Sequence, residues 1–254
     1  MPFLSKDYWI FAELAKLLST LNESSHDLIR QNASAMYVQP LVIWPVRVLF
    51  LFTVPNGRTR AAIFEYGRHL IVAFYCNIPI VSTKKSRLIE GGEDLNAGVA
   101  SEALHAWRAI EPDLNTSIKK HMENFKGRIL ITGHSTGGAL AVLQAGYLAQ
   151  FIPSHRLSCI TFGAPKFAGR RFVDRFAQIG IENYRIFNER DPVPSFPSLF
   201  PQLHHPQGIE ILLPAEYSLE SNEPWWQFWC NENIYDHKIT AYSDGIARFV
   251  GSLS

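Results

Sequence analysis

The sequence is short of several features that would fix its class at once. Neither sign of charge is in excess: 24 basic residues stand against 23 acidic ones, a formal net charge of +1. A nucleic-acid surface needs a basic patch to neutralise phosphates, so this balance argues against nucleic acid as a partner. There are only three cysteines, Cys76, Cys159 and Cys230. They lie far apart and in no metal-like pairing, so they make neither a disulfide framework nor a metal-ligand set, although one bridge and an odd thiol stay open. The most apolar run, Leu41 to Val54, contains Pro45 and Arg47 and is too short to span a bilayer; a strand accounts for it better. The opening residues MPFLSKDYWIFAELAKLL are broken by Lys6, Asp7, Glu13 and Lys16 and lack the clean apolar core of a secretory signal. The expectation is a cytoplasmic protein, or a secreted one if a leader has been removed. N-x-S/T triplets at Asn22, Asn32 and Asn115 are too short to outweigh this. Repeats, low-complexity stretches and linkers are also missing, which leaves a single domain over residues 1–254.

What is present is core-forming. Apolar residues make up 47% and charged ones 19% of the 254 residues, enough for one large α/β unit and too apolar for wholesale disorder. From about Tyr8 to Arg30, Ile10, Leu14, Leu17, Leu18 and Leu21 recur at helical spacing, predicting an N-terminal helix or helix pair at about residues 5–35. VIWPVRVLFLFTV, RAAIFEYG and HLIVAFYC follow as β-branched and aromatic strands, close enough together to include a hairpin. A long helical pattern runs from Ala97 to Met122 and is bent or split at Pro112. After Gly127, strands RILIT, LSCITFG, NYRIFN and GIEILL alternate with helical segments and lead to a terminal helix, ITAYSDGIARFV. That alternation predicts a mostly parallel sheet with helices on both faces, and the β-rich front predicts an antiparallel N-terminal extension.

GHSTG, Gly133 to Gly137, matches G-x-S-x-G. Alone the pattern is too short to convince; its setting between an apolar strand and a small-residue helix makes it specific. A nucleophilic serine at such a turn is held with strained dihedrals, and flanking side chains would collide with strand and helix, hence the glycines. The helix N-terminus offers free N–H groups to a developing oxyanion. A hydroxyl needs a base, and the base an orienting acid, in the chain order Ser, Asp or Glu, His. For the acid, Asp191 lies past a strand in YRIFNERDPVP, pinned by Pro192 and Pro194, while Asp174, Asp236 and Asp244 compete. For the base, His237 in IYDHKITAY enters the last helix, with His204 and His205 in HHP as runners-up.

At these residues the sequence resembles the class 3 lipase family, the fungal triacylglycerol lipases and their feruloyl-esterase and phospholipase relatives. GHSTGGALA is similar to the family's GHSLGGALA, TFGAPKFAGRRF to its TFGxPRVGNxxF, YRIFNERDPVPSFP to its RVxNxxDxVPxLP, HHPQGIEILL to its YxHxGxEVW, and YDHKITAY to its DHxxY box. Several motifs in the right order, from near Val42 to the last helix, are far more specific than one elbow. The resemblance implies an α/β-hydrolase fold with Ser135 as nucleophile, Asp191 as acid and His237 as base, and it moves His205 to a structural role. It implies the Thr136 amide as one oxyanion donor. The second donor is where the sequence departs: the family reads FRGS or FRGT, and here stand Phe74, Tyr75, Cys76 and Asn77. By position the second donor is the Asn77 amide, with a plain turn-forming Asn as the alternative. His134 either packs behind the elbow or borders the substrate pocket, and Tyr75 is a further candidate for that pocket.

The loop Ile78 to Asn96 occupies the place of the family's lid. It is polar, carrying STKKSR and EGGED with few apolar residues, which favours a smaller or more soluble ester over strict interfacial activation. Against it stands PWWQFWC, whose Trp225, Trp226, Phe228 and Trp229 either line the acyl pocket, touch a lipid surface, or are ordinary packing. The implied reaction is hydrolysis of acylglycerol or related carboxyl esters through an acyl-enzyme, and it calls for no metal or organic cofactor. The alternative is a non-catalytic, lipase-like interaction or signalling module, motivated by the altered FYCN segment.

Overall fold

The structure is a computed structural model, and it describes residues 6–20, 46–55, 57–78, 80, 99–122, 125–196, 202–214 and 235–251. Among the described residues seven strands form one sheet, in the order in which they occur along the chain. β1 (Val46–Thr53), β2 (Thr59–Tyr66) and β3 (His69–Cys76) are antiparallel. β4 (Ile129–His134), β5 (Leu157–Phe162), β6 (Glu182–Asn188) and β7 (Ile209–Leu213) run parallel to one another, and β4 also runs parallel to β3. The Tyr66↔His69 pair closes the β2–β3 hairpin over Gly67 and Arg68, with Gly67 at φ +55°. A two-residue hairpin needs such a left-handed position to match strand twist. The sheet is mostly parallel with an antiparallel N-terminal extension, as the alternation of patterns predicts.

Each face of the sheet carries its own helices. One face holds α2 (Ser101–Arg108), α3 (Glu111–Met122), α4 (Thr136–Leu148) and α5 (Arg170–Ile179) over Val72, Phe74 and Ile131. The other holds α1 (Lys6–Thr20) and α6 (Ile239–Gly251) over Phe64, Ile71 and Phe162. In α1 the buried residues Ile10, Phe11, Leu14, Ala15 and Leu18 make one stripe, so helical spacing becomes a single contact face. The second helix of the expected N-terminal pair falls outside the described residues. All six residues of β5 are buried, because a central parallel strand is covered on both faces.

The helical stretch before β4 is split. α2 ends at Arg108 and α3 starts at Glu111 with Pro112 in its first turn, where a missing N–H leaves no intrahelical bond unmade. Buried polar groups tie the layer together: Trp107 Nε1 donates to Gln144 Oε1 at 3.0 Å, and Gln144 Nε2 to Asn115 Oδ1 at 2.6 Å. Among the described residues no helix is long and apolar enough to cross a membrane.

Candidate active site

β4 runs into α4 through Ser135, which sits at φ 55°, ψ −131° and is the one non-glycine residue with positive φ among the described residues. Bulky neighbours could not follow this turn. A Cβ on Gly133 would meet the Gly137 carbonyl oxygen at 2.2 Å, and one on Gly137 would meet the Phe74 carbonyl oxygen at 2.6 Å. The turn is held from outside, since Ser135 N–H donates to the Phe162 carbonyl of β5 at 2.9 Å. Backbone strain of this kind persists only where the surroundings over-determine it.

Ser135 Oγ lies 2.8 Å from His237 Nε2, and His237 Nδ1 lies 2.9 Å from Asp191 Oδ2. The three residues come from separate places: the end of β4, the loop after β6, and the one-turn helix Tyr235–His237 that precedes α6. The Asp191 side chain has no solvent exposure, against 18% for His237. Its Oδ1 accepts the Val193 N–H at 2.9 Å, and its Oδ2 also accepts the Tyr242 hydroxyl at 2.5 Å. A buried carboxylate needs such donors. Gly163 makes room for them: at φ +56°, a Cβ there would lie 2.7 Å from Tyr242 Oη and 2.8 Å from Asp191 Oδ2. The competing acids stand elsewhere. Asp174 pairs with Arg170 on α5, Asp244 is exposed, and Asp236 is buried beside the histidine.

Among the competing histidines, His205 Nε2 donates to the Pro194 carbonyl at 2.7 Å, steadying the loop that carries Asp191. Burial first, and the neighbouring charge of Arg185 second, push its pKa down to about 3, so it stays neutral. His204 joins its backbone to Ala168, two residues before α5. His134 lies behind the elbow, with its ring 4.7 Å from that of His237 and 5.7 Å from that of Tyr242, and its Nε2 meets the His237 carbonyl at 2.5 Å. Tyr75 also packs on the α1 side, beneath the Arg60 guanidinium at 5.0 Å, and that guanidinium reaches the Leu18 carbonyl at 3.0 Å. Trp225, Trp226, Phe228 and most of the lid-like loop lie outside the described residues.

The two expected oxyanion donors fare differently. Thr136 opens α4 and is buried, and no carbonyl within the helix can reach its N–H. The Asn77 amide needs correction: it donates to the Arg58 carbonyl at 2.8 Å, extending the β2–β3 ladder, and so faces β2 instead of the elbow. Amides along a strand alternate in direction, and Leu70 N–H, of opposite parity, goes to Arg128 on the β4 side. Cys76 shares the parity of Leu70, so its amide faces β4, and the β3–β4 pairing ends at Phe74↔Gly133. The sequence alone does not single out Tyr242 or Asn188. The Tyr242 hydroxyl accepts the Asn188 N–H at 3.2 Å while donating to Asp191. An aromatic five residues after His237, in an apolar helical stripe, is the one signal the sequence carries.

The comparisons agree with this architecture. A phospholipase A1-Igamma1, chloroplastic, of Arabidopsis thaliana is 34% identical over 122 residues, covering 41% of this chain and 23% of that protein. A secreted mono- and diacylglycerol lipase of Fusarium solani is 28% identical over 103 residues, covering 40% and 30%. The chain therefore matches less than a third of the length of these relatives. Lipase II from Rhizopus niveus superimposes with a TM-score of 0.64 at 20% identity, covering 82% of this chain and 80% of that one, a likeness of fold. The model of the lipase (class 3) family matches residues 71–200, just over half of the sequence and the part that carries both Ser135 and Asp191, and the chain belongs to that family.

Proposed function

We propose that this chain is a serine carboxyl-ester hydrolase acting on glycerolipid or related esters from within one α/β domain. The observation that carries the reading is the hydrogen-bonded line Asp191–His237–Ser135, ending on a serine in a strained strand-to-helix turn. In this reading His237 takes the Ser135 proton as Oγ attacks the ester carbonyl, and Asp191 holds the imidazole and stabilises the imidazolium. The Thr136 amide stabilises the oxyanion, with the Cys76 amide as the second donor because its parity turns it to the elbow side. The imidazolium protonates the leaving alcohol, and water then cleaves the acyl-enzyme by the same groups in reverse roles. The substrate class follows from the relatives, which are phospholipases A1 and acylglycerol lipases by name. Transient contact with a lipid surface belongs to the same proposal.

Ser135→Ala should lower turnover of a short p-nitrophenyl ester by at least ~10⁴-fold while circular dichroism stays unchanged. Undiminished hydrolysis by the pure variant would sink the assignment. A second reading, a lipase-like binding module without turnover, is favoured by the Asn77 amide, which is committed to Arg58. Fluorophosphonate labelling separates the two, because only an activated Ser135 reacts.

A further inference from the structure

The base is carried by a short segment, although it must be held to a fraction of an ångström. It ends a three-residue helical turn, Tyr235–His237, and its side chain reaches across to two other segments of the chain. A displacement of about 1 Å at such a site costs ~10²-fold in rate, so something must fix its main chain as well as its ring. Two side chains do so. Asn188, 2% exposed, donates its Nδ2–H to the Asp236 carbonyl at 2.8 Å. His134 donates its Nε2–H to the next carbonyl, that of His237, at 2.5 Å. Asn188 is the last residue of β6, three before Asp191, and His134 is the last residue of β4, immediately before Ser135.

We propose that His134 and Asn188 form a two-point clamp on the main chain of the base, gripping consecutive carbonyls from the ends of the strands that carry the nucleophile and the acid. The proposal rests on the triad reading above. It makes the separation of Ser135, Asp191 and His237 a property of the sheet, because the base is tied to the same two strands that position its partners. A carbonyl can only accept, so His134 is the Nε2–H tautomer. Burial first, and the proximity of a charged His237 second, hold its pKa well below the usual imidazole value. It therefore stays neutral when His237 becomes an imidazolium, and it neither competes for the proton nor repels it. Both are positioning residues, acting through His237.

Three variants test the clamp. His134→Phe keeps the ring and removes the donor, His134→Gln keeps an N–H donor and removes the ring, and Asn188→Asp replaces the donor with an acceptor facing a carbonyl. With a short p-nitrophenyl ester, His134→Phe and Asn188→Asp should lose ~10–100-fold in kcat with KM within about twofold. His134→Gln should recover most of that loss. A crystal structure of His134→Phe should show Ser135 Oγ and His237 Nε2 beyond about 3.5 Å, outside hydrogen-bonding distance. An unchanged separation in that variant overturns the clamp, as does equal loss in the Phe and Gln variants, or kcat within about twofold in both disruptive ones. If Asn188→Asp does not fold, the His134 pair and the crystal structure decide alone. A wild-type protein that neither hydrolyses esters nor labels refutes the proposed function, and the crystallographic distance still tests the clamp.

Discussion

The two ends of the parallel strands carry nearly the same chemical groups in opposite settings. At the carboxyl ends, Asp191 accepts hydrogen bonds from a tyrosine hydroxyl, an imidazole and a main-chain amide. At the amino ends, Glu182 accepts from the Tyr184 hydroxyl at 2.5 Å, from Ser158 Oγ at 2.8 Å and from the Arg128 guanidinium. Each carboxylate thus has a tyrosine and two further donors. The Asp191 side chain has no exposure, while those of Arg128 and Glu182 are 42% and 41% exposed. The basic partner differs as well: an imidazole can take and return a proton near neutrality, whereas a guanidinium never releases one. Ser158 lies within a regular strand, whereas Ser135 is held at positive φ. Residue type alone therefore does not mark the site. Burial, backbone strain and a titratable partner do, and all three occur at the carboxyl ends, where α/β sheets place their crevice.

The largest expected effect breaks this contrast at the buried end. Asp191→Asn keeps the shape but offers an amide where His237 Nδ1–H and the Tyr242 hydroxyl both donate. The imidazole is then held in the wrong tautomer, and kcat should fall by ~10⁴-fold with little change in the far-ultraviolet spectrum. The matching Glu182→Gln at the exposed end should leave kcat unchanged. Equal losses in the two variants would mean that the comparison misplaces the chemistry.

Much of this was legible because it is local in sequence. Strand and helix periods placed β2, β3, β4 and β5 closely, GHSTG marked the elbow, and the proline-flanked Asp191 and the loop bearing His237 followed in the required order. What was not legible depends on partners far away along the chain. Whether the Asn77 amide faces the elbow or β2 is fixed by the β2–β3 register, which pairs Thr59 with Cys76, and no property of the FYCN segment contains that parity. His134 and Asn188 stand inside motifs that the sequence displays, but their roles come from contacts with a loop 103 and 48 residues further along. Tyr242 fits an apolar helical stripe, and only the fold shows that its hydroxyl ends on Asp191.

Tyr242→Phe gives an intermediate effect and sharpens the account of the buried end. Burial, and next the charge on Asp191, raise the tyrosine pKa well above its usual value, so the hydroxyl remains a donor throughout the working range. Its removal leaves Asp191 Oδ2 with His237 alone and takes an acceptor from the Asn188 N–H. Hydrogen bonds to charged groups contribute about 1.5–3 kcal/mol, and urea unfolding should show a loss of that size. Turnover should drop by only about tenfold, because His237 Nδ1 and Val193 N still orient the carboxylate. A loss as large as that of Asp191→Asn would make the tyrosine as necessary as the acid itself.

The smallest effect lies at the exposed end and is one of stability. Burial pulls the Glu182 pKa upward, but the hydrogen bonds from Tyr184, Arg128 and Ser158 and the charge of Arg128 outweigh it, so the net shift is downward. A carboxylate with a depressed folded-state pKa stabilises the protein above its unfolded value of about 4.3 and loses that contribution as pH falls through the folded-state value. With about two-fifths of both side chains in solvent, the contribution is under about 1 kcal/mol. Wild type should therefore unfold at a slightly higher urea concentration than Glu182→Gln at pH 7 and at pH 5, and the two should converge at about pH 3. A difference that persists undiminished at pH 3 would assign the stabilisation to neutral hydrogen bonds that Gln cannot replace. Turnover at pH 7 should be the same for both proteins, since the Glu182 cluster and the triad occupy opposite ends of the same strands.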